Sequence, residues 1–348
     1  MSWGLYIAGW AVGWFLLWST RALPAGPPGS TPRGPVAVVV PARDEAAALP
    51  HLLTPLVAQL RPGDELVVVD DHSTDDTAAV AGRLGATVVA AADLPPGWVG
   101  KPHACWTGAI ATTAPTLVFL DADVRPSDHL LDGLAVAVGA DPHAVTSVQP
   151  WHDAPRPAER AAALANVVAV MGSGGFTVLG TRVPTTVAYG PVLALTRTAY
   201  DAAGGHAHAD VRASLVEDIA LARRVGRSRL FTGRTDATFR MYPLGFRHSM
   251  AGWARTMAAG ISATRWWVAL GVAAWVSSLA GGPFVGWAAY PLSALQVWVL
   301  GRRAGRIGVL VAVLYPLAVL VLVVIVVRAG WNRARGTTTW KGRAVEAA

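Results

Sequence analysis

The sequence predicts an α/β domain, a mostly parallel sheet between helices, joined to apolar segments of membrane-spanning length. Through the middle of the chain, short β-rich apolar runs alternate with Ala-rich helical stretches, the rhythm of a sheet covered by helices on both faces. The 348 residues are 53% hydrophobic and 15% charged, whereas soluble domains carry roughly 25% charged residues, so part of the chain belongs in lipid. Of the 15 Trp residues, only Trp98, Trp106 and Trp151 fall in the middle region; the others sit in or beside the apolar ends, where amphipathic rings favour a membrane interface.

Taken in order, residues 1–21 read as an N-terminal transmembrane anchor, because residues 2–18 are uninterruptedly apolar and end before Arg21. A cleaved signal peptide fits less well, since no basic residue precedes the run. Residues 22–35, rich in Pro and Gly, read as a linker. The domain at 36–245 opens with strands expected at 36–40, 65–69, 86–90 and 116–120, separated by stretches such as the helical 77–84. Residues 246–265 place Phe246, Met250, Trp253 and Met257 at helical spacing with Arg247, His248 and Arg255 on other faces, the pattern of a helix lying in the interface. Residues 266–327 supply two or three membrane segments, with Gly281-Gly282-Pro283 as a break, and 328–348 form a basic tail.

The formal charge of +7 is scattered beside apolar runs rather than gathered into a stripe, which points to anionic headgroups and away from nucleic acid. A single cysteine, Cys105, rules out an internal disulfide and fits a reducing compartment. Arg21 and the large polar middle place the domain on the cytoplasmic side of the cell membrane in a multi-pass arrangement. For the tail, two spans plus a re-entrant segment would keep Arg328, Arg333, Arg335, Lys341 and Arg343 inside, whereas three full spans would not.

Ligands of open α/β sheets bind beyond the carboxyl ends of the strands. There this chain carries Pro41-Ala42-Arg43-Asp44-Glu45, then Asp70-Asp71-His72-Ser73-Thr74-Asp75, then Asp121-Ala122-Asp123. Carboxylates gathered on one rim repel each other unless a cation compensates, and an oxygen-rich set suits Mg²⁺ or Mn²⁺. Extended alternation across Asp121-Ala122-Asp123 would point both carboxylates the same way, with the small Ala122 keeping the site open. A phosphatase of the haloacid-dehalogenase type also places Asp-x-Asp after a strand, but Arg125 stands where that class has Thr or Val.

The order Val38-Val39-Val40-Pro41-Ala42-Arg43-Asp44-Glu45, Val69-Asp70-Asp71-His72-Ser73-Thr74-Asp75, Asp121-Ala122-Asp123 and Glu217-Asp218 resembles a membrane-anchored family-two glycosyltransferase over about 200 residues. More narrowly, Gly97-Trp98-Val99-Gly100-Lys101, Gly204-Gly205-His206, Val216-Glu217-Asp218 and Trp340-Lys341-Gly342-Arg343 are similar to diaponeurosporenoate-type carotenoid-acid glucosyltransferases and the hopanoid-associated branch. The resemblance implies a nucleotide-sugar-binding type A fold and an inverting transfer of one sugar to a lipid or isoprenoid acceptor. It implies donor contacts from Pro41, Arg43, Asp44, Glu45, Asp70, Asp71, Lys101, Asp121 and Ala122, a metal on Asp121 and Asp123, and catalysis by Asp218 with Glu217 beside it. A UDP-sugar is the donor it implies, and Gly205, His206, Trp253, Arg255, Trp340 and Arg343 fall on the acceptor side.

Without the resemblance, Glu217-Asp218 reads as an acidic pair at a helix N-terminus. Gly252-Trp253-Ala254-Arg255 is the nearest match to the Gln-x-x-Arg-Trp of processive members, so transfer of one sugar is expected over polymer synthesis, the alternatives being a processive synthase or a sugar-nucleotide sensor without catalysis. His72, His103, His206 and His208 lack zinc spacing, and Gly172-Ser173-Gly174-Gly175 lacks the lysine of a phosphate loop.

Overall fold

The structure, a computed structural model, describes residues 1–25, 33–261, 263–334, 338–340 and 343–345. In chain order the elements begin with α1 (Trp3–Leu16), β1 (Val36–Ala42), α2 (Leu49–Val57), β2 (Glu65–Asp70), α3 (Thr77–Arg83), β3 (Thr87–Ala90) and α4 (Gly100–Ile110). There follow β4 (Thr116–Leu120), β5 (Val124–Pro126), α5 (Leu130–Ala140), β6 (Val145–His152), α6 (Pro157–Arg160), α7 (Ala163–Gly172), β7 (Val192–Thr196), α8 (Arg197–Ala202) and α9 (Ala209–Arg212). Last come α10 (Glu217–Val225), β8 (Ser228–Phe239), α11 (Phe246–Ile261), α12 (Trp266–Gly281), α13 (Ala289–Ala304), α14 (Val309–Val313), α15 (Tyr315–Ala334), β9 (Thr338–Trp340) and β10 (Arg343–Val345).

The chain divides into two compact units, one of residues 21–150 and 184–239, the other of 1–20, 151–183 and 240–348. Residues 151–183 thus group with the terminal helices, outside a continuous 36–245 domain; α7 is apolar over most of its surface and almost wholly buried, so it needs apolar neighbours.

The first unit is built on a sheet ordered β3-β2-β1-β4-β7-β6-β8-β5. Pairing is parallel for β3-β2-β1-β4 and antiparallel where β7 meets β4 and β6 and where β8 meets β5. The sheet is therefore mixed, and the expected parallel order holds for its first half. Strand β1 is buried on both faces: Val36, Val38 and Val40 join α2, α3 and α5 residues in one core, while Ala37 and Val39 join α4 residues in the other. Each fully buried Val or Leu contributes about 1.5–3 kcal/mol. Helix α4 lies against β1 only because Gly108 has no side chain; a methyl there would collide with Val39. That close seat fixes the start of α4, where Lys101 stands.

In the second unit two helical stretches are long and apolar enough to cross a membrane, residues 266–284 and 315–334. The expected anchor is helical over 14 residues, about 21 Å at 1.5 Å per residue. Gly9 and Gly13 let it touch α12, since a methyl on Gly9 would stand 2.7 Å from Ala274 O and one on Gly13 would run into the Trp275 indole. The apolar run at 308–327 is not one segment: it breaks at Leu314 between α14 and α15, where Pro316 removes a donor and crowds the preceding turn.

Helix α11 also departs from expectation. Met250, Trp253 and Met257 are buried in the protein, the helix packing on α15 and α7, so the apolar stripe faces neighbouring helices; only Phe246 is exposed.

Candidate active site

Strands β1, β2 and β4 end side by side, and the loops that follow carry the acidic motifs. The first two loops are stitched together. Thr74 donates to Asp44 Oδ1 from its backbone N (2.7 Å) and hydroxyl (3.0 Å), Asp44 N donates to Ser73 Oγ, and Glu45 N donates to Thr77 Oγ1 at 2.8 Å. These Thr74 bonds hold the Asp44 carboxyl below the usual carboxylate range. Asp44 adopts φ 52°, a left-handed conformation that Asp tolerates when its side chain bonds locally. Asp71 is buried behind this loop; its N donates to Ala42 O at 2.8 Å, and Arg43 and His72 approach its carboxylate at 3.8 and 3.2 Å. Asp70 caps the turn by accepting from Ser73 N, and Pro41 remains in the β1–β2 register opposite Val69.

The centre of the site is an ion cluster. Lys101 Nζ lies 2.8 Å from Asp121 Oδ1 and 2.8 Å from Glu217 Oε1, joining the end of β4 to the start of α10. Burial alone would depress the ammonium, but Asp121 and Glu217 hold its pKa well above the ordinary lysine value. Asp218 is beside them; burial first, then repulsion from Glu217, pushes its carboxyl up to about 7, with Lys101 opposing. Gly190, just before β7, completes the enclosure: a methyl there would lie 3.1 Å from Lys101 Nζ and 3.3 Å from Asp218 Oδ2. One turn beyond Lys101, Cys105 is buried and its thiol is raised well above its ordinary value, by burial first.

Asp123 is the exposed member. Surrounding protein first, then repulsion from Asp121 and Glu45, raises its pKa, a sign of surplus negative charge that a cation would relieve. Among the described residues no three His, Cys, Asp or Glu side chains gather as a complete metal shell. Two hard oxygen donors fit a Mg²⁺ or Mn²⁺ ion that takes its remaining ligands from phosphate and water. Ala122 differs from expectation: it is buried in the core below the loop, as alternation requires once Asp121 and Asp123 turn outward.

Of the expected acceptor-side residues, Gly205 and His206 belong to the sheet-based unit and Trp253 and Arg255 to the helical one. His206 is buried; Tyr200 Oη meets its Nδ1 at 3.0 Å and its ring packs edge-on against Phe119 at 4.8 Å. Burial, reinforced by Lys101, drops its pKa to about 3, so it is a neutral packing residue, and Gly205 at φ 54° is the turn that lets it in. Trp253 is 1% exposed, its indole against His152 and Tyr242, with Arg255 half-buried on the same helix. The side chains of Trp340 and Arg343 lie outside the described residues.

Two features escaped the sequence reading. Gly190 carried no local signal beyond preceding a proline and a strand. The Trp98, His103 and Trp106 rings cluster at 5.3 to 6.2 Å at the start of α4, and the clue was available: two of the three Trp residues outside the apolar ends are in it.

The profile of Glycosyl transferase family 2 matches residues 37–183. The 4,4'-diaponeurosporenoate glycosyltransferase of Staphylococcus aureus (strain MRSA252) is 30% identical over 333 residues, covering 88% of this chain and 87% of that protein. Its namesake from Staphylococcus haemolyticus is 33% identical over 238 residues, which span 66% of this chain and 63% of the relative, just under two thirds of its length. Among solved structures, a mannosyltransferase of Pyrobaculum calidifontis in complex with GDP-Man and Mn²⁺ superposes with a TM-score of 0.56 at 20% identity, over 95% of this chain and 96% of that one.

Proposed function

Because the chain belongs to glycosyl transferase family 2, we propose that it is an inverting, metal-dependent hexosyltransferase that moves one sugar from a nucleotide-diphosphate sugar, a UDP-sugar first among them, to a lipid-like acceptor. The relatives named for diaponeurosporenoate favour a carotenoid acid as that acceptor. The observation that carries the reading is Lys101 bridging Asp121 and Glu217 with Asp218 alongside, which gathers donor-side and base-side groups in one cluster.

In this reading Asp71 and Arg43 border the nucleoside, and the stitched Asp44–Thr74 loops keep that wall in shape. Asp121 and Asp123 would hold the divalent ion, as the Mn²⁺ and GDP-Man of the Pyrobaculum enzyme support; when bound, it supplies positive charge to the departing diphosphate. Lys101 adds a fixed positive charge at the same place. As the acceptor oxygen bonds to the anomeric carbon, the bond from that carbon to the diphosphate oxygen breaks, inverting the centre. An alcohol acceptor loses its proton to Asp218 Oδ, a base with pKa near 7. A carboxylic acid is already ionised at neutral pH, and then Asp218 serves by orientation alone.

The exposed apolar side chains of α12 and α15, among them Leu270, Leu317, Leu320 and Val327, support residence in the cell membrane, and Arg21 beside the first apolar run favours the cytoplasmic side for the catalytic residues. Membranes containing the protein, given Mn²⁺, a panel of nucleotide sugars and polyene acids, are to be followed by mass spectrometry. A product with a single added hexose is expected. Long glycans would identify a processive synthase, and donor binding without transfer or hydrolysis would identify a sensor.

A further inference from the structure

The helices of the apolar unit sort their charges by end. At one end, Arg303 donates to Leu17 O at 2.5 Å and Trp18 O at 3.0 Å, closing the last turn of α1, and lies over the Trp14 and Trp18 rings at 5.9 and 5.5 Å. Arg302 lies over Trp298 at 5.0 Å. Arg265 precedes α12, whose first turns meet the same end of α1, since Gly271 abuts Leu16. Arg333, in the last turn of α15, donates to Ala258 O of α11, seven residues before Arg265 in the chain.

The opposite end has a different chemistry. Met1 abuts Gly281, Trp3 abuts Gly286, and Tyr6 Oη donates to Ala289 O at 2.8 Å. Tyr315 lies against Gly282, and Tyr290 Oη donates to Val313 O at 2.6 Å. No Asp, Glu, Lys, Arg or His occurs in residues 1–20, 266–300 or 308–327. Phe284 and Trp287, at the α12–α13 turn, are 85% and 90% exposed.

These contacts fix the direction of each segment. Helix α1 runs to the basic end, α12 away from it and α13 back. Helix α13 ends at Ala304, yet Val313 already stands at the uncharged end beside Tyr290, so residues 305–313 make the return. They do so half unwound: Gly305 and Gly308 are extended, Arg306 N donates to His152 O at 2.7 Å, and Ile307 packs on Gly301. A few extended residues at about 3.3 Å and one helical turn at about 1.5 Å per residue reach roughly 21 Å, the length of α1. Helix α15 then runs back to the basic end.

We propose that this unit crosses the bilayer five times, through α1, α12, α13, the broken segment 305–314 and α15, with Arg265, Arg302, Arg303, Arg328 and Arg333 at the anionic headgroups of the cytoplasmic leaflet. The N-terminus and the α12–α13 turn lie at the other face. Arginines beside Trp rings match an anionic interface, and a charge-free opposite end is what the positive-inside rule demands. Unwound backbone at membrane depth is tolerated here because Gly305 and Ile307 are buried and Arg306 N is bonded to His152 O; the short helices require local thinning of the bilayer.

The proposal rests on the membrane residence inferred above, which is read first and separately: the protein must stay in the pellet after a carbonate wash, and leaving it would sink the membrane reading itself. The chain's sole cysteine is buried, so single-cysteine additions are read directly against the unchanged protein. Trp287→Cys and, as a second probe of the same turn, Phe284→Cys are expected to react with a membrane-impermeant maleimide in intact cells. Ala334→Cys is expected to react only after lysis. Labelling of Ala334→Cys in intact cells would overturn the five-pass path, as would protection of both turn variants until detergent is added, which would leave the turn inside the lipid. No turnover is needed for either outcome.

Discussion

The sheet-based unit and the long apolar helices handle charge in opposite ways. In the sheet-based unit, ionisable groups are driven together and buried in contact, as in Lys101, Asp121, Glu217 and Asp218. Along the long apolar helices α1, α12, α13 and α15 they are confined to one end, the buried Arg240–Glu159 pair of the same unit lying outside these helices, and the polar contacts between them are neutral, such as Gln296, which accepts from Trp275 Nε1 at 3.0 Å and donates to Trp10 O at 2.6 Å. Buried charge is tolerated where it is paired, because an unpaired buried ion costs several kcal/mol. The lesson is that the same rule of satisfying every buried polar group yields an ion cluster at the ends of the strands and neutral bonds between the apolar helices.

The largest effect should come from removing the acidic grip on the donor. Replacing Asp121 and Asp123 together by Ala should lower sugar transfer by about a thousandfold or more, since a bound metal ion is worth several kcal/mol of transition-state stabilisation; unchanged turnover would dissolve the contrast between the units.

Next comes Asp218→Asn, expected to cost about a hundredfold to ten-thousandfold with an alcohol acceptor and far less with a carboxylate one. With the native residue, alcohol transfer should rise with pH through about 7 as the base loses its proton. The stability effect runs the other way. A carboxyl whose pKa is raised on folding binds its proton more tightly in the folded state, so stability falls as pH rises from about 4 towards 7. Asp218→Asn should therefore melt higher than the native protein above pH 7, with the gap narrowing in acid, as thermal scans across pH would reveal.

A gentler probe is Gly190→Ala. Its methyl would press on Lys101 Nζ and Asp218 Oδ2, and about a tenfold loss of kcat/KM is expected, equivalent to about 1.4 kcal/mol, with little change in melting temperature. Smallest of all should be Gln296→Leu, which removes two interhelical bonds in the apolar unit; such bonds average about 0.6 kcal/mol each, and sugar transfer should stay near the native rate.

Legibility in the sequence followed the same divide. The strand-end motifs were readable because each follows an apolar run that only a buried strand explains, and β1, β2 and β4 lie close to where the pattern placed them. The later strands were not readable: β6 contains Thr146, Ser147, Gln149 and Pro150 yet is buried throughout, and β8 carries Gly233 and Asp236 within its length. Their pairing comes from distant contacts that leave no local period. The burial of two acceptor-side candidates was unreadable for a related reason. His206 and Trp253 look reactive by type, but tertiary packing buried both, and no spacing along the chain announces burial. Gly190 shows the converse, a residue whose role is the space it leaves.

The sealed thiol one helical turn beyond Lys101 has a use of its own. A reagent can reach Cys105 only when α4 lifts from β1 by local opening, an event that hydrogen exchange would count among the sub-global excursions of a native protein. Its alkylation rate is thus a native clock for how often the lysine-bearing helix comes loose, and a donor that clamps this helix should slow the clock in proportion to its occupancy.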